Sequence, residues 1–442
     1  MELEHNETPT NEVRMMILQD SISVQLGETD SEATNFPGVV PLANLASELG
    51  MLGDLDRLLP AKERNRGFGN SASVFDLMTI PLAGGQCIDD LAQLRQDKGL
   101  TRLLGRKVMA PSTAHDFLHR IRYDGLDGLR RARRNMLSKV AKRTGTRTAT
   151  LDCDASLFTS SGRNARMSYK GEKGYMPMLA FWSELGMVVH DDFRNGNTSP
   201  GGDALAFLKE TTAQLPATVS DVKVRSDSAW YQAEVMDHCD DHDYQFCISA
   251  RRDEAVMALF PGADDAQWQR INVRKDPEQQ EDYIREWACE SVHSLNESDR
   301  AYRTILLRKE RLQGDLFEGD YIYGAIITNM DLPLEEQVAW HRGRCNCENH
   351  IKELKWDFEL RVLPSGDFFV NANYLRIITL AFNLFVALKL LKLPERCKGI
   401  RLKALRFRLL GLPALITRHA RRLCLRLPRG HPNKSLFAAI MT

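Results

Sequence analysis

Apolar residues recur at helical spacing through the first third of the chain. Between 41 and 142 they return every three or four positions, as at Leu42, Leu45 and Leu49 and again around Leu77 and Ile80. This period is typical of amphipathic α-helices. The pattern predicts an all-helical domain over 37–147, preceded by a polar lead-in at 1–36 that has no strong periodicity.

At Thr148 the pattern changes to short apolar runs bounded by turn residues. The runs at 148–158, 177–182, 187–190, 222–227 and 244–248 are typical of strands, and 203–215 and 232–239 are typical of helices. Three strands in antiparallel succession, followed by alternating helix and strand, favour a mixed sheet with helices on both faces. The predicted fold class is therefore α/β, with a mixed five-stranded sheet.

A polar segment interrupts this domain, so the predicted core is discontinuous. The core comprises 148–250 and 326–395, and the segment between them, 251–325, is predicted to be a β-rich insertion. The apolar run at 375–391 contains Arg376, Asn383 and Lys389, which favours a buried core helix over a membrane span. Residues 396–442 form a basic C-terminal tail.

The stretch from Trp340 to Lys355 carries the most informative charged pattern. It contains no proline and one glycine, and the sequence predicts a single helix. At about 100° per residue, His341, Arg344, Glu348 and Lys355 fall within roughly 60° of one another. One carboxylate then lies in a row of basic and imidazole groups. The alternative is a solvated helix face stabilised by charge pairs.

Charge is balanced overall but unevenly distributed. The chain has 59 basic and 59 acidic residues, whereas 396–442 contains twelve Arg and Lys and no Asp or Glu. Such asymmetry favours a polyanionic partner. A second basic run, with Arg130, Arg131 and Arg134, ends the helical region and is a candidate for phosphate contacts with DNA. A solvated basic linker is the alternative.

Nine cysteines occur without paired spacing, which predicts reduced thiols in a cytoplasmic protein. Two Cys and His clusters invite a zinc assignment, but neither has a recognised ligand spacing, so no structural zinc is predicted. The clusters are Cys345, Cys347 and His350, and His238, Cys239, His242 and Cys247.

Carboxylates stand at or near predicted strand ends. Asp152 and Asp154 are two residues apart, so both leave the same face of the first strand. Asp227 ends the fourth strand, and ligands of open α/β sheets collect at such ends. Solvated edge charges or a turn cap are the alternatives. With Glu348 on a facing helix, the carboxylates would suit a pair of Mg²⁺ ions that clamp an in-line phosphoryl transfer.

These residues resemble the DDE transposases of bacterial insertion sequences, in particular the branch with a Tyr-x2-Arg-x3-Glu-x6-Lys signature. The resemblance runs from roughly 41 to 393 and has His341 at the tyrosine position. The motifs that carry it are Asp154-Ala155-Ser156, Val224-Arg225-Ser226-Asp227-Ser228 and Arg344-x3-Glu348-x6-Lys355.

The resemblance implies an RNase H-like core in which Asp154, Asp227 and Glu348 bind Mg²⁺, with Mn²⁺ able to substitute. An activated water would nick the end of the element, and the freed 3′-OH would attack target DNA. Arg344 and Lys355, with His341, would contact phosphates. The resemblance also implies that the helical region binds the element's terminal inverted repeats and that a homodimer assembles on double-stranded DNA at the bacterial nucleoid. Asp152 is the alternative first acid, although Asp-Ala-Ser at 154–156 fits the family pattern better.

Two other functions are compatible with parts of the pattern. Asp152-x-Asp154-x-Ser156 is close to the nucleophile loop of haloacid dehalogenase-type phosphatases, but Asp191-Asp192 comes too early to be their later acidic pair. A DNA-binding relative without catalysis is the second alternative, against which the retained carboxylates argue. The tryptophans Trp182, Trp230 and Trp340 are candidates either for stacking on an extruded base or for the core.

Overall fold

The structure is a computed structural model that describes residues 32–62, 66–271, 285–315, 319–420 and 422–441. The predicted lead-in at 1–36 lies almost entirely outside these residues. Its last part is described, and Ala33 and Thr34 form a short strand.

The described residues between 39 and 144 contain seven α-helices. The apolar positions of these helices face one another, and Leu42, Leu45, Leu77 and Ile80 are all buried. The elements of this part are β1 (Ala33–Thr34), α1 (Val39–Glu48), α2 (Met51–Leu58), α3 (Asn70–Ala83), α4 (Leu91–Gln96), α5 (Lys98–Leu104), α6 (Pro111–Arg120) and α7 (Gly125–Thr144).

A mixed sheet follows, and the five predicted strands are β2, β6, β7, β8 and β9. β2 pairs antiparallel with β6 and parallel with β8, β6 pairs antiparallel with β7, and β8 pairs parallel with β9. The elements are β2 (Thr148–Ala155), β3 (Phe158–Thr159), β4 (Arg166–Met167), β5 (Lys173–Tyr175), β6 (Met178–Trp182), β7 (Met187–Asp192), α8 (Ala204–Ala213), β8 (Asp221–Ser226), α9 (Ala233–Asp241) and β9 (Gln245–Ser249).

The β-rich segment extends this sheet instead of forming a separate one. Its strands are preceded by a helix: α10 (Glu254–Met257), β10 (Gln269–Arg270), β11 (Glu286–Ser294), β12 (Ala301–Asp315) and β13 (Gly319–Thr328). β13 pairs antiparallel with β9, placing Ile327 opposite Ile248. Within the described ranges the sheet therefore has nine strands, in the order β10-β11-β12-β13-β9-β8-β2-β6-β7. The prediction of a five-stranded sheet is corrected, because β13 covers the backbone edge that β9 would otherwise expose.

The C-terminal part returns to the core. Helix α13 meets the length and composition criteria for a membrane span, but 83% of its most apolar window is buried in the protein. It packs against α7, α3 and β7. The elements are α11 (Leu334–Arg342), α12 (Cys345–Trp356), α13 (Phe368–Lys392), α14 (Leu402–Leu405), a π-helical turn (Arg406–Leu410), β14 (Ala414–His419), β15 (Arg422–Arg426) and α15 (Lys434–Met441).

A buried cluster of charges joins the helical region to the sheet. Asp191 on β7 pairs with Arg133 of α7 and with Nε of Arg376 of α13, the latter at 2.9 Å from Oδ2. All three side chains are at most 5% exposed. Burial alone would raise the pKa of Asp191, but the two arginines outweigh it and lower that pKa to about 2. A carboxylate between two guanidinium groups thus fixes the three elements together.

Candidate active site

The two aspartates of β2 have different roles. Asp152 is buried and accepts hydrogen bonds from Nε and Nη2 of Arg225, at 2.6 and 2.8 Å, across the parallel pair of β2 and β8. It is therefore committed to a structural ion pair, which argues for Asp154 as the first acid. The same pairing removes the free nucleophile that the phosphatase alternative requires.

Asp154 shares an electrostatic site with the other two predicted acids. Burial is the largest cause that raises its pKa to about 6, followed by the charge of Asp227, while Arg344 opposes the shift and Glu348 adds to it. Asp227 follows β8, and its Oδ1 accepts a hydrogen bond from the N–H of Ala229 at 2.9 Å. Asp227 and Glu348, both distant from Asp154 along the chain, thus lie close enough to Asp154 to raise its pKa.

The predicted helix from Trp340 to Lys355 is broken in two, at Gly343 and Arg344. Nη1 of Arg225 donates to the Trp340 carbonyl, which in an unbroken helix would accept from the N–H of Arg344. That N–H bonds the His341 carbonyl at 3.1 Å instead. A Cβ at Gly343 would lie 2.3 Å from Arg225 Nη1, so glycine is needed here. The single-helix prediction is wrong because a side chain takes over the helical acceptor.

His341 consequently does not share a face with Glu348. It lies on α11, buried, with Nε2 at 2.9 Å from Oγ of Ser249 at the end of β9. Burial, followed by the charges of Arg344 and Arg225, lowers its pKa to about 3. A buried neutral imidazole does not suit a phosphate, which counts against the predicted phosphate contact of His341.

Lys355 faces the strand that carries Asp154. Its Nζ donates to Oγ of Ser156 at 2.8 Å and to the carbonyl of Leu157 at 2.7 Å. Burial lowers its pKa, Lys170 adds to this effect, and Asp154 opposes it. In this conformation Lys355 holds the segment that leaves β2, next to the carboxylates.

Arg344 lies among the three acids. Its guanidinium donates to Oε1 of Glu348 at 3.1 Å. Burial would lower its pKa, but Asp227, Asp154 and Glu348 outweigh this effect and raise it. Within the described part of the chain, no group of three or more His, Cys, Asp or Glu side chains is placed to hold a metal ion. The acids supply the hard oxygen donors that Mg²⁺ prefers, but Glu348 is engaged by Arg344.

The basic run on α7 divides into solvent-facing and buried residues. Arg131 and Arg134 are exposed, and Arg131 lies 3.8 Å from Asp127. Arg130 is half-buried, 3.5 Å from Glu210 on α8. Arg133, from the same run, belongs to the buried cluster with Asp191. The exposed pair therefore remains available for the predicted phosphate contacts.

Of the three tryptophans considered for base stacking, two are in the core and the third lies against an arginine. Trp182 and Trp230 are fully buried, and the guanidinium of Arg225 lies 4.7 Å above the ring of Trp340. All nine cysteines are free. The structural role of Arg225 is not predicted from the sequence, because β8 also carries Asp221 and Lys223 and nothing local distinguishes its arginine from them.

Replacing Asp154 with Asn is expected to stabilise the metal-free protein above about pH 6. The folded-state pKa of Asp154, about 6, exceeds the unfolded value of 3.8, so ionisation opposes folding at higher pH. Asparagine removes that cost, up to about 3 kcal/mol at pH 8. The gain should shrink as pH falls from 6 towards 4. Urea unfolding in EDTA at several pH values measures it, and equal stability at pH 8 would contradict the crowding of charges described here.

Comparison with known proteins identifies the family of the chain. No curated protein matches the chain. Among solved structures, it is similar to the cryo-EM structure of the piggyBac transposase synaptic complex with hairpin DNA, with a TM-score of 0.41 and 10% sequence identity over 83% of this chain and 84% of that one. The transposase DDE domain group 1 family matches residues 18–442. Because that match covers nearly the whole sequence, the chain belongs to the DDE transposase family.

Proposed function

We propose that this transposase binds the ends of an insertion sequence, cleaves the DNA there and joins the freed 3′-OH ends to target DNA. The observation that carries the proposal is that Asp154 and Asp227 directly follow the paired residues Cys153 and Ser226 of the parallel strands β2 and β8, with Glu348 and Arg344 close enough to affect the pKa of Asp154. A cluster of acids at strand ends is costly for folding alone, and such perturbed groups concentrate at functional sites.

We assign Asp154, Asp227 and Glu348 as ligands of Mg²⁺, with Mn²⁺ able to substitute. A bound pair of such ions would supply the positive charge that stabilises the attacking and leaving oxygens of phosphoryl transfer. Asp154 and Asp227 offer carboxylate oxygens from adjacent parallel strands. Glu348 becomes available once Arg344 turns from it to a DNA phosphate, a contact that suits the planar guanidinium.

We further assign β2 and β6 to β9 to an RNase H-like core. The support is their arrangement, in which the parallel strands β2, β8 and β9 continue into the antiparallel strands β6 and β7. The segments 148–250 and 326–395 then constitute the catalytic core, interrupted by 251–325.

DNA binding is assigned to the helical region and the C-terminal tail. We propose that 37–147 contacts the terminal inverted repeats, with Arg131 and Arg134 on phosphates, and that two copies assemble on double-stranded DNA in the cytoplasm to bring two ends together. The tail at 396–442 contains twelve cations and no acid, which favours contact with a polyanion.

The tail cannot be tested by deletion because much of it is core. Leu402, Leu405, Leu409 and Phe437 are buried, so removal of 396–442 would expose apolar surface. Arg418, Arg422 and Arg426 are exposed on the hairpin of β14 and β15, where they can be replaced without disturbing these buried leucines.

Replacing Arg418 and Arg422 of this hairpin with Gln should weaken DNA binding and flatten its salt dependence. Each lost phosphate contact lowers the slope of log affinity against log salt by about 0.9, so a change of roughly 2 is expected. Fluorescence anisotropy between low and high salt measures the slope. Lys209→Gln, on the exposed face of α8, is the control. A slope equal to the control's would assign the hairpin to another role.

The proposed function itself is tested by incubating the full chain with DNA that carries both ends of the element flanking its gene. With Mg²⁺ we expect nicks that leave 3′-OH groups at the ends, followed by joined products when target plasmid is added. EDTA should stop both steps. Absence of nicking with both Mg²⁺ and Mn²⁺, in protein that is folded and binds the ends, would overturn the proposal.

A further inference from the structure

A small β-excursion leaves the active site directly after Asp154. Residues 156–176, here called the flap, contain β3, β4 and β5 in a three-stranded sheet of their own, in the order β3-β5-β4. These short strands are not predicted from the sequence. The flap starts two residues after Asp154 and returns to the main sheet at β6.

The root of the flap is fixed to the catalytic core. Tyr175 is buried, and its ring lies 4.7 Å from that of Phe193 and 6.0 Å from that of Phe368 on α13. A Cβ at Gly174 would lie 2.3 Å from the carbonyl of Phe158, so the strands approach closely. At the other end Lys355 holds Ser156, as described above. The flap is therefore an ordered projection and not a free loop.

The tip of the flap is exposed and carries both basic and apolar side chains. Tyr169 is 67% and Met167 57% exposed, and Nζ of Lys170 lies 5.6 Å from the centre of the Tyr169 ring. The tip turns at Gly171, whose φ is 76°. An exposed aromatic side chain beside cations is the combination that binds nucleic acid by stacking and by phosphate contacts.

The cations of the flap have no acidic partner among the residues that the structure describes. Residues 156–176 contain four cations and one carboxylate, Glu172. The cations are exposed, and none forms an ion pair with a residue that the structure describes. They are Arg163, Arg166, Lys170 and Lys173.

Lys355 links the flap to the candidate site. Its Nζ donates to Oγ of Ser156, two residues after Asp154, and its pKa, which burial lowers, is lowered further by Lys170 of the tip and raised by Asp154. DNA with a phosphate at Asp154 would therefore have the flap at its side.

We propose that the flap binds the DNA next to the scissile phosphate, its cations on the backbone and Tyr169 on a sugar or base. The proposal rests on the proposed function, since it presumes that this site cleaves DNA. β5 spans three residues, so at about 3.4 Å per residue the tip stands roughly 10–15 Å from the root. At about 3.4 Å per base pair, Tyr169 should lie about three to five base pairs from the cut.

Site-specific photocrosslinking tests the position. p-Benzoylphenylalanine replaces Tyr169 in the full chain, which is bound to element-end DNA with Ca²⁺ in place of Mg²⁺. We expect crosslinks to nucleotides within about five base pairs of the nick. Tyr123 is the matched control: it is 61% exposed and has an arginine above its ring, but lies between α6 and α7. Its crosslinks should fall elsewhere or be absent.

Variants of the flap test its contribution to cleavage and to DNA binding. Tyr169→Ala should slow cleavage about tenfold, within the range for loss of one base–aromatic stack. Lys170→Ala with Lys173→Ala should lower the salt slope of binding by about 2, against no change for Lys209→Ala. Unfolding midpoints equal to wild type would exclude misfolding.

The outcomes separate the two proposals. If wild type cleaves element ends but the flap variants behave as the controls do and position 169 labels no nucleotide near the cut, the flap proposal is wrong and the proposed function stands. If wild type neither binds nor cleaves element ends, both fall.

Discussion

Asp154→Asn, Asp227→Asn and Glu348→Gln should each reduce cleavage of element ends by about a hundredfold to a thousandfold, the scale expected when a group that stabilises developing charge is removed. Each substitution keeps the shape of the side chain and removes one negative charge. DNA affinity should stay within a few fold, because binding depends on phosphate contacts made elsewhere. Denaturing gels that resolve the nicked strand measure the first effect, and anisotropy the second.

The control for this series lies on the same strand as one of the acids. Asp221 begins β8, at the end of the strand opposite Asp227, and is 42% exposed. Asp221→Asn should cleave as wild type does. Cleavage that survives any of the three active-site substitutions would remove that residue from the site.

Asp152→Asn and Asp154→Asn should differ in their effects on stability and on cleavage. Asp152→Asn leaves the buried guanidinium of Arg225 without its carboxylate, so stability should fall, whereas Asp154→Asn should raise stability above pH 6 while eliminating cleavage. An active, destabilised Asp152→Asn would fit this assignment, and an active Asp154→Asn would reverse it.

The largest effect on stability is expected for Asp191→Asn. The substitution leaves Arg133 and Arg376 buried together without a counter-charge, and loss of one partner from a buried pair costs about 3–5 kcal/mol. Urea unfolding at pH 7 measures this loss. Asp192→Asn, one residue later on β7 and only partly buried, is the control and should change stability by less than about 1 kcal/mol.

The pH dependence gives the same cluster a second test. The folded-state pKa of Asp191, about 2, is below the unfolded value of 3.8. Its contribution is therefore complete above about pH 4 and is lost as pH falls towards 2. Asp191→Asn should lack this acid-sensitive component, and an unchanged acid transition in the variant would argue against it.

The strands of the core could be predicted closely because their signal is local. The apolar runs at 187–190 and 244–248 correspond to Met187–Asp192 and Gln245–Ser249. The motifs that contain the three acids could also be recognised, because each motif depends only on spacing along the chain. The distances between the three carboxylates could not be predicted, because they depend on how β2, β8 and α12 pack.

The features that could not be predicted depend on contacts between residues that are far apart in the sequence. Nothing local in Trp340 to Lys355 indicates that Arg225, more than a hundred residues earlier, will take a helical carbonyl. Arg133 looks like its exposed neighbours until Asp191 is placed beside it. β13 shows a strand pattern, but its pairing with β9 depends on a free edge that exists in three dimensions and not in the sequence.

The break at Gly343 uncouples the orientation of α12 from that of α11. An uninterrupted helix would transmit every shift of α11, and of the long insertion before it, to the angle at which Glu348 points. Because Arg225 of β8 holds the bend, the orientation of α12 is fixed relative to β2 and β8. Upstream segments can therefore vary in length or respond to DNA without misaligning the third acid.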